Sequence, residues 1–314
     1  MLGVGKKIIN EHKIKIAERN AFAGRKKYQI EIDLKVVPTK NLKYIEVWQP
    51  LPRNTSYQKV DGSRIYPSEQ EILKDEFFGN FVAHWKTESS VNGGELLFNQ
   101  KSTVLVEPRE AKVTGSLEDF DKKDPIYQLY TKEDPYFNFG GSRVKDLAEK
   151  IIGKEKELAG ITESLYSYVR DHFHYGSPIE GLYNSIEAME KKQVDCGGFD
   201  SLLGALYRVV GVPARLISGF LAGYEGEHYH AWLEFMVPDG NWVPVDPSVE
   251  NLRLSGRDFK PGGFGRVGND RIVVSIGSAI SMNGKKFPLL QLPQVDAQPG
   301  SGVLVSRNIK IIQV

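Results

Sequence analysis

Cys196, His230 and Asp246 are the residues of this 314-residue chain whose types and spacing suit covalent catalysis, and Cys196 is its single cysteine. A thiolate is the reactive form of cysteine, and unpaired N–H groups at the positive end of a helix dipole favour it. Cys196 stands at such an end. Asp195 is a good N-cap, and Phe199, Leu202, Leu203, Leu206, Val209 and Val210 recur at spacings of three and four, which predicts a helix from about Cys196 to Val210. Gly197 and Gly198 leave that end bare, so a substrate carbonyl gains access although each glycine costs ~1 kcal/mol against alanine. Gly211 and Pro213 end the helix. The competing reading makes Cys196 a small buried hydrophobe.

Downstream, EHYHAWLEFMVPDGNWVPVDPS reads as two β-rich runs around a Pro-Asp-Gly turn. A loop from Met236 to Gly240 pairs Phe235 with Asn241 and sets His230 opposite Asp246, at a Cβ separation of about 5 Å. A carboxylate there orients the imidazole and supports an imidazolium beside a thiolate. A slip of one residue would send one of the two to the other face. Period-two spacing also puts His228 and His230 on one face, so that with Glu227 or Asp246 a zinc site is a rival drawing that lacks a suitably arranged third ligand. Trp232 shares the face of His230 and Trp242 that of Asp246; each is either a wall of the cleft or core.

The stretches VDCGGFDSLLGALYRVVGVPAR, HAWLEF and WVPVDPS resemble the three motifs of the transglutaminase-like superfamily, with its papain-like Cys-His-Asp triad in the same order. The similarity extends upstream to ITESLYSYVRDHFHYG. VWQPLPRNTSYQKV and FFGNFVAHW are similar to the β-rich N-terminal domain of bacterial and archaeal members described as cysteine proteases. The resemblance covers residues 25 to 290, most strongly 161 to 248. It implies an α+β fold, with a papain-like core of helices packed on an antiparallel sheet and an antiparallel β domain before it. It also implies Cys196 as nucleophile, His230 as general base and Asp246 as its orienting partner. Gly197, Tyr175 and Trp232 are further candidates for oxyanion or substrate contacts. Tyr175 lies in the FHYG segment, which runs near the active site in the resembling family, and its hydroxyl is either the second oxyanion donor beside the Cys196 amide or the tip of a core ring.

Acyl transfer to water makes such a protein a cysteine peptidase or amidase, the reading that the resemblance favours. Transfer to an amine makes it a protein-glutamine transglutaminase. Amide cleavage on glycosylated asparagine, as in the peptide N-glycanases of the superfamily, lacks the zinc-binding cysteines typical of many of those. A non-catalytic binding module keeping the fold is the reading from another class.

Forty-one basic against forty acidic residues give a formal charge of +1, so no global field favours nucleic acid or an anionic membrane. No apolar run is long enough for a membrane span, and charges interrupt residues 1 to 20 where a signal peptide needs an h-region; a cytoplasmic protein is expected. One cysteine excludes an internal disulfide framework and thiolate-rich zinc sites. No metal or cofactor is implied, and the expected partner is a peptide or protein substrate; nothing in the sequence reports an oligomeric state.

The chain divides into an arm at 1–24, a β-sandwich-like domain at 25–110, a linker at 111–141, the catalytic core at 142–270, and strands at 271–314 that extend one of the two domains. Alternation marks strands at Lys27–Val37 and in KYIEVWQPLP, with more at Phe77–Thr87 and, after an Asn-Gly-Gly turn, at Glu95–Glu107. The acidic cluster Glu118, Asp119, Asp121 and Asp124 lacks the calcium-loop pattern and reads as a solvated loop. Helices are expected from Ser142 to Ile152, from Glu155 to about His172 and from Ser185. His172 and His174 fit no motif position.

Overall fold

The computed structural model describes residues 2–87, 94–224 and 229–314, with side chains from residue 11 onward except that of Ser301. The alternation in Lys26–Pro38 buries Tyr28, Ile30, Ile32, Leu34 and Val36 on one face. This strand lies in an antiparallel sheet ordered Val303–Gln313, Lys26–Pro38, Leu96–Val106, Gln58–Tyr66. A second antiparallel sheet runs Gln294–Gln298, Tyr44–Leu51, Phe81–Thr87, Glu71–Lys74. Leu34, Val36, Val47, Ala83, Trp85 and Phe98 fill the space between the two. Gln58–Tyr66 and Glu71–Lys74 escape the sequence reading because both are largely exposed and carry little apolar alternation. The expected Asn-Gly-Gly turn begins at Asn92 and Gly93, outside the described residues.

A third antiparallel sheet, Trp242–Val245, Tyr229–Met236, Ala214–Leu221, Arg271–Ile276, carries the site. Helices Arg143–Ile152, Leu158–His172 and Cys196–Val209 lie on one face of it, and Leu165, Phe199, Leu202, Leu206, Leu233, Phe235 and Val245 share their core. On the other face, Phe220, Ile272 and Val274 pack on Tyr28, Ile30 and Val104 of the first sheet. The inner row of Lys26–Pro38 therefore changes partner along its length. Its first half covers the third sheet and its second half the sandwich. The fold is α+β, with helices on an antiparallel sheet after an antiparallel β region.

Buried charge also joins the parts. Glu234 is fully buried and accepts from Tyr57 Oη at 2.7 Å, from Arg215 Nη2 at 2.6 Å and from Arg109. Burial alone would push its carboxyl up, but Arg215 and Arg109 outweigh burial and hold it below the usual range.

Residues read as an arm form the helix Leu2–Ala21, whose end is fixed where Asn269 N donates to Ala21 O at 2.8 Å. The segment read as a linker is packed. Its helix Pro125–Thr131 starts on an Asp124 cap, and Phe120, Tyr127 and Phe137 enter the helical core. Asp119, Asp121 and Asp124 of the acidic cluster each accept a backbone N–H.

Candidate active site

Cys196 is the first residue of the helix Cys196–Val209, and Asp195 caps it by accepting from Gly198 N at 3.0 Å. The other Asp195 oxygen accepts from Ile179 N at 3.1 Å and ties the preceding loop to the helix start. The two glycines serve close packing, which corrects the expectation of a bare end. A Cβ at Gly198 would meet Val194 at 2.5 Å, and one at Gly197 would meet Leu182 at 2.7 Å. Only Gly197 of the two borders the cleft.

His230 lies in Tyr229–Met236, and here the expected register needs correction. Leu233 pairs with Val245 and Met236 with Trp242, which sets Asp246 opposite Trp232. The turn is tighter than expected: Gly240 N donates to Val237 O at 2.9 Å and Gly240 takes φ +85°. A type I turn followed by a left-handed glycine suits a hairpin this short. The slip is by two residues, so His230 and Asp246 keep a common face.

Asp246 reaches His230 because it leaves the strand to cap the helix Pro247–Leu254. One of its oxygens accepts from Val249 N and Ser248 Oγ, each at 3.2 Å. The other accepts from His230 Nε2 at 2.8 Å and from Arg271 Nη2 at 2.9 Å. Burial would push this carboxyl up; His230 and Arg271 outweigh it and hold the group well below the usual range. Arg271 is fully buried and also donates to Asp270 Oδ1 and to Pro261 O, both at 2.7 Å. Sequence reasoning missed it, since residue 271 adjoins the site only through sheet pairing.

Cys196, Gly197, Tyr175 and His230 line one cleft of about 530 Å³. His230 Nε2 is committed to Asp246, and Nδ1 has no partner among the described residues. The thiol lies against the Ala231 N–H. Burial pushes it up, Asp195 and Asp200 push in the same direction, and the Ala231 N–H opposes them. These influences act against the thiolate that a helix start favours. Two carboxylates near the helix start offset the dipole.

The Tyr175 hydroxyl sits against the Cys196 sulfur, which together with burial pushes the phenol up, while the ring stacks over Phe199 at 6.4 Å. Trp232 is fully buried and does not wall the cleft, a correction to its expected place. It stacks on His230 at 6.0 Å and braces the ring from behind. Trp242 packs on Arg215 and Tyr130, away from the cleft. His172 stacks on Tyr168 and His174 is exposed. His228 and Glu227 of the zinc alternative lie outside the described residues, and among those described no group of three or more His, Cys, Asp or Glu is placed to hold a metal.

Asp200, one turn below Cys196, is fully buried with neither carboxylate oxygen hydrogen-bonded among the described residues. Burial, with Asp246 and Asp195, pushes it well above the usual range. A charged residue on the apolar face of this helix was the available signal for it.

Residues 145–247 match the family model of the transglutaminase-like superfamily. The chain is 26% identical over 266 residues to an "Uncharacterized protein" of Haemophilus influenzae, covering 70% of this chain and 68% of that protein. A crystal structure from Cytophaga hutchinsonii described as a "Putative Cysteine Protease" shares the fold with a TM-score of 0.62 at 14% identity, over 92% of this chain and 91% of that one. The periplasmic domain of TgpA from Pseudomonas aeruginosa aligns at a TM-score of 0.38 and 12% identity, over 78% of this chain and 94% of that one. The matched segment contains Cys196, His230 and Asp246 on helices and an antiparallel sheet, and it is this part of the chain that is similar to the transglutaminase-like superfamily.

Proposed function

We propose that the protein is a cysteine-dependent acyl-transfer enzyme that hydrolyses peptide or amide bonds. In this reading the Cys196 sulfur attacks the substrate carbonyl while its proton passes to His230 Nδ1. The C–N bond then breaks, and the same proton leaves with the amine. Water, deprotonated by His230, cleaves the thioester and restores the thiol. Asp246 holds the ring throughout and stabilises the imidazolium. The Cys196 N–H and the Tyr175 hydroxyl are the oxyanion donors. In this reading the thiol rests protonated, and His230 acts as a general base during attack.

The observation that carries this reading is the 2.8 Å bond from His230 Nε2 to Asp246, which leaves Nδ1 without a partner among the described residues in a ring that borders the cleft Cys196 lines. p-Nitrophenyl acetate provides a generic test. We expect an acetyl group on Cys196 by intact-mass spectrometry, formed in the wild type and lost in His230→Ala and Cys196→Ser. Acetylation indifferent to His230→Ala overturns the reading. Release of the acetyl group to a primary amine in preference to water would make the enzyme a transferase.

A further inference from the structure

Strand Val303–Gln313 turns Val303, Val305, Arg307, Ile309 and Ile311 to its half-buried side. Val303 and Val305 pack into the sandwich core, and Ile309 and Ile311 pack where the first sheet meets the third. Arg307 sits between these pairs, opposite Leu34, where the sheet changes packing partner. A guanidinium in an apolar row is costly unless something compensates it. Its one hydrogen bond among the described residues runs from Nε to Pro293 O at 2.9 Å, and no carboxylate there pairs with it. That bond fixes the planar group and leaves both terminal nitrogens without a hydrogen bond among the described residues.

Arg307 instead borders the cleft that holds Cys196 and His230. Histidine aside, it is the one cationic residue among the described residues of that lining. The other polar groups nearby are occupied or exposed. Gln291 Nε2 donates to His230 O at 2.9 Å, Asp195 caps the helix, and Glu180 is exposed at the rim.

We propose that Arg307 anchors a carboxylate of the substrate, so that the acyl group presented to Cys196 belongs to an acidic peptide. The fork of a guanidinium matches a carboxylate with two parallel N–H···O bonds. The carboxylate is either an acidic side chain or a free peptide C-terminus. This inference rests on the proposed acyl-transfer reading for the identity of the cleft.

The test uses chloroacetyl peptides, which alkylate Cys196 by forming an S–C bond as chloride and the thiol proton leave. Chloroacetyl alanine peptides with Asp at the first, second or third position are compared with their Asn counterparts, all as C-terminal amides. A second arm compares all-alanine peptides ending in a free carboxylate with their amides. At least one carboxylate probe should label Cys196 about tenfold more efficiently than its neutral twin, through a lower half-saturating concentration, as a charged hydrogen bond would give. The arm in which this occurs identifies the source. Arg307→Gln should abolish the difference while leaving labelling by iodoacetamide in place, and Arg307→Lys should retain part of it. Equal labelling by every carboxylate and neutral pair, or a preference that survives Arg307→Gln, overturns the proposal. Alkylation needs no His230-dependent turnover, so this outcome is read separately from the acetylation test.

Discussion

Arg271 donates from Nη2, at 2.9 Å, to the same Asp246 oxygen that accepts from His230. The carboxylate is thus held from two sides, and neither Arg271 nor Asp246 touches solvent. Arg271→Met would leave Asp246 with the imidazole as its one ionisable partner among the described residues, beside the Ser248 and Val249 hydrogen bonds, and Asp270 without its guanidinium. Breaking a buried pair in this way is expected to cost about 3–5 kcal/mol in urea denaturation. A loss below about 1 kcal/mol, the range of exposed pairs, would show that Arg271 is not a structural partner of Asp246.

Asp246 and Glu234 also set the acid limit of the fold. Both are held below the usual carboxylate range, by His230 and Arg271 in one case and by Arg215 and Arg109 in the other. A depressed carboxyl contributes stability that is fully present above the unfolded value of about 4 and is lost as pH falls through the folded value. Urea midpoints should therefore drop as pH is lowered below about 4. Glu234→Gln should be less stable at pH 7 and flatter over the acid range. An acid slope unchanged in Glu234→Gln would remove Glu234 from this account.

The local part of the site is legible in the sequence. The Asp195 cap and the three-and-four spacing after Phe199 place Cys196 at a helix start, because both signals act within a few turns of chain. The hairpin is legible in parity but not in register. Whether a Pro-Asp-Gly turn closes at Val237 or at Phe235 depends on Gly240 adopting its left-handed φ, and the β-rich runs fit either. Arg271 and Arg307 are not legible at all. One reaches the site through pairing of Arg271–Ile276 with Ala214–Leu221, and the other through a strand that returns to the first sheet. Neither route leaves a periodic trace near residues 196 to 246. Gln58–Tyr66 is hidden for a simpler reason: its exposed polar face gives no alternation to read.

Asp200 has the opposite sign to Asp246. Its folded value is raised, so the folded state keeps a proton that the unfolded chain releases above about pH 4. Stability contributed at low pH is lost as pH rises toward the folded value. Asp200→Asn removes that dependence, and its stability relative to the wild type should grow between pH 5 and pH 8 in urea titrations. A constant difference across this interval would mean that Asp200 has a partner that keeps it ionised.

Asp195 both caps the helix and raises the Cys196 thiol, and the two roles can be separated. Asparagine caps as well as aspartate does but carries no charge. Asp195→Asn should therefore keep the cap on Gly198 N but lose the acceptor for Ile179 N, which lowers the urea midpoint near neutral pH by the equivalent of about 1–3 kcal/mol while the chain still folds. It should also move the pH of half-maximal iodoacetamide labelling of Cys196 downward by about one unit, the scale of a neighbouring charge. The wild-type profile should have its midpoint above the free-thiol value of about 8.5, because burial, Asp195 and Asp200 all act in that direction. A wild-type midpoint well below 8.5 that His230→Ala raises would mean instead that a thiolate–imidazolium pair is already formed at rest. In that case the proton moves before the substrate arrives, and the general-base step assigned to His230 is replaced by attack of a standing thiolate.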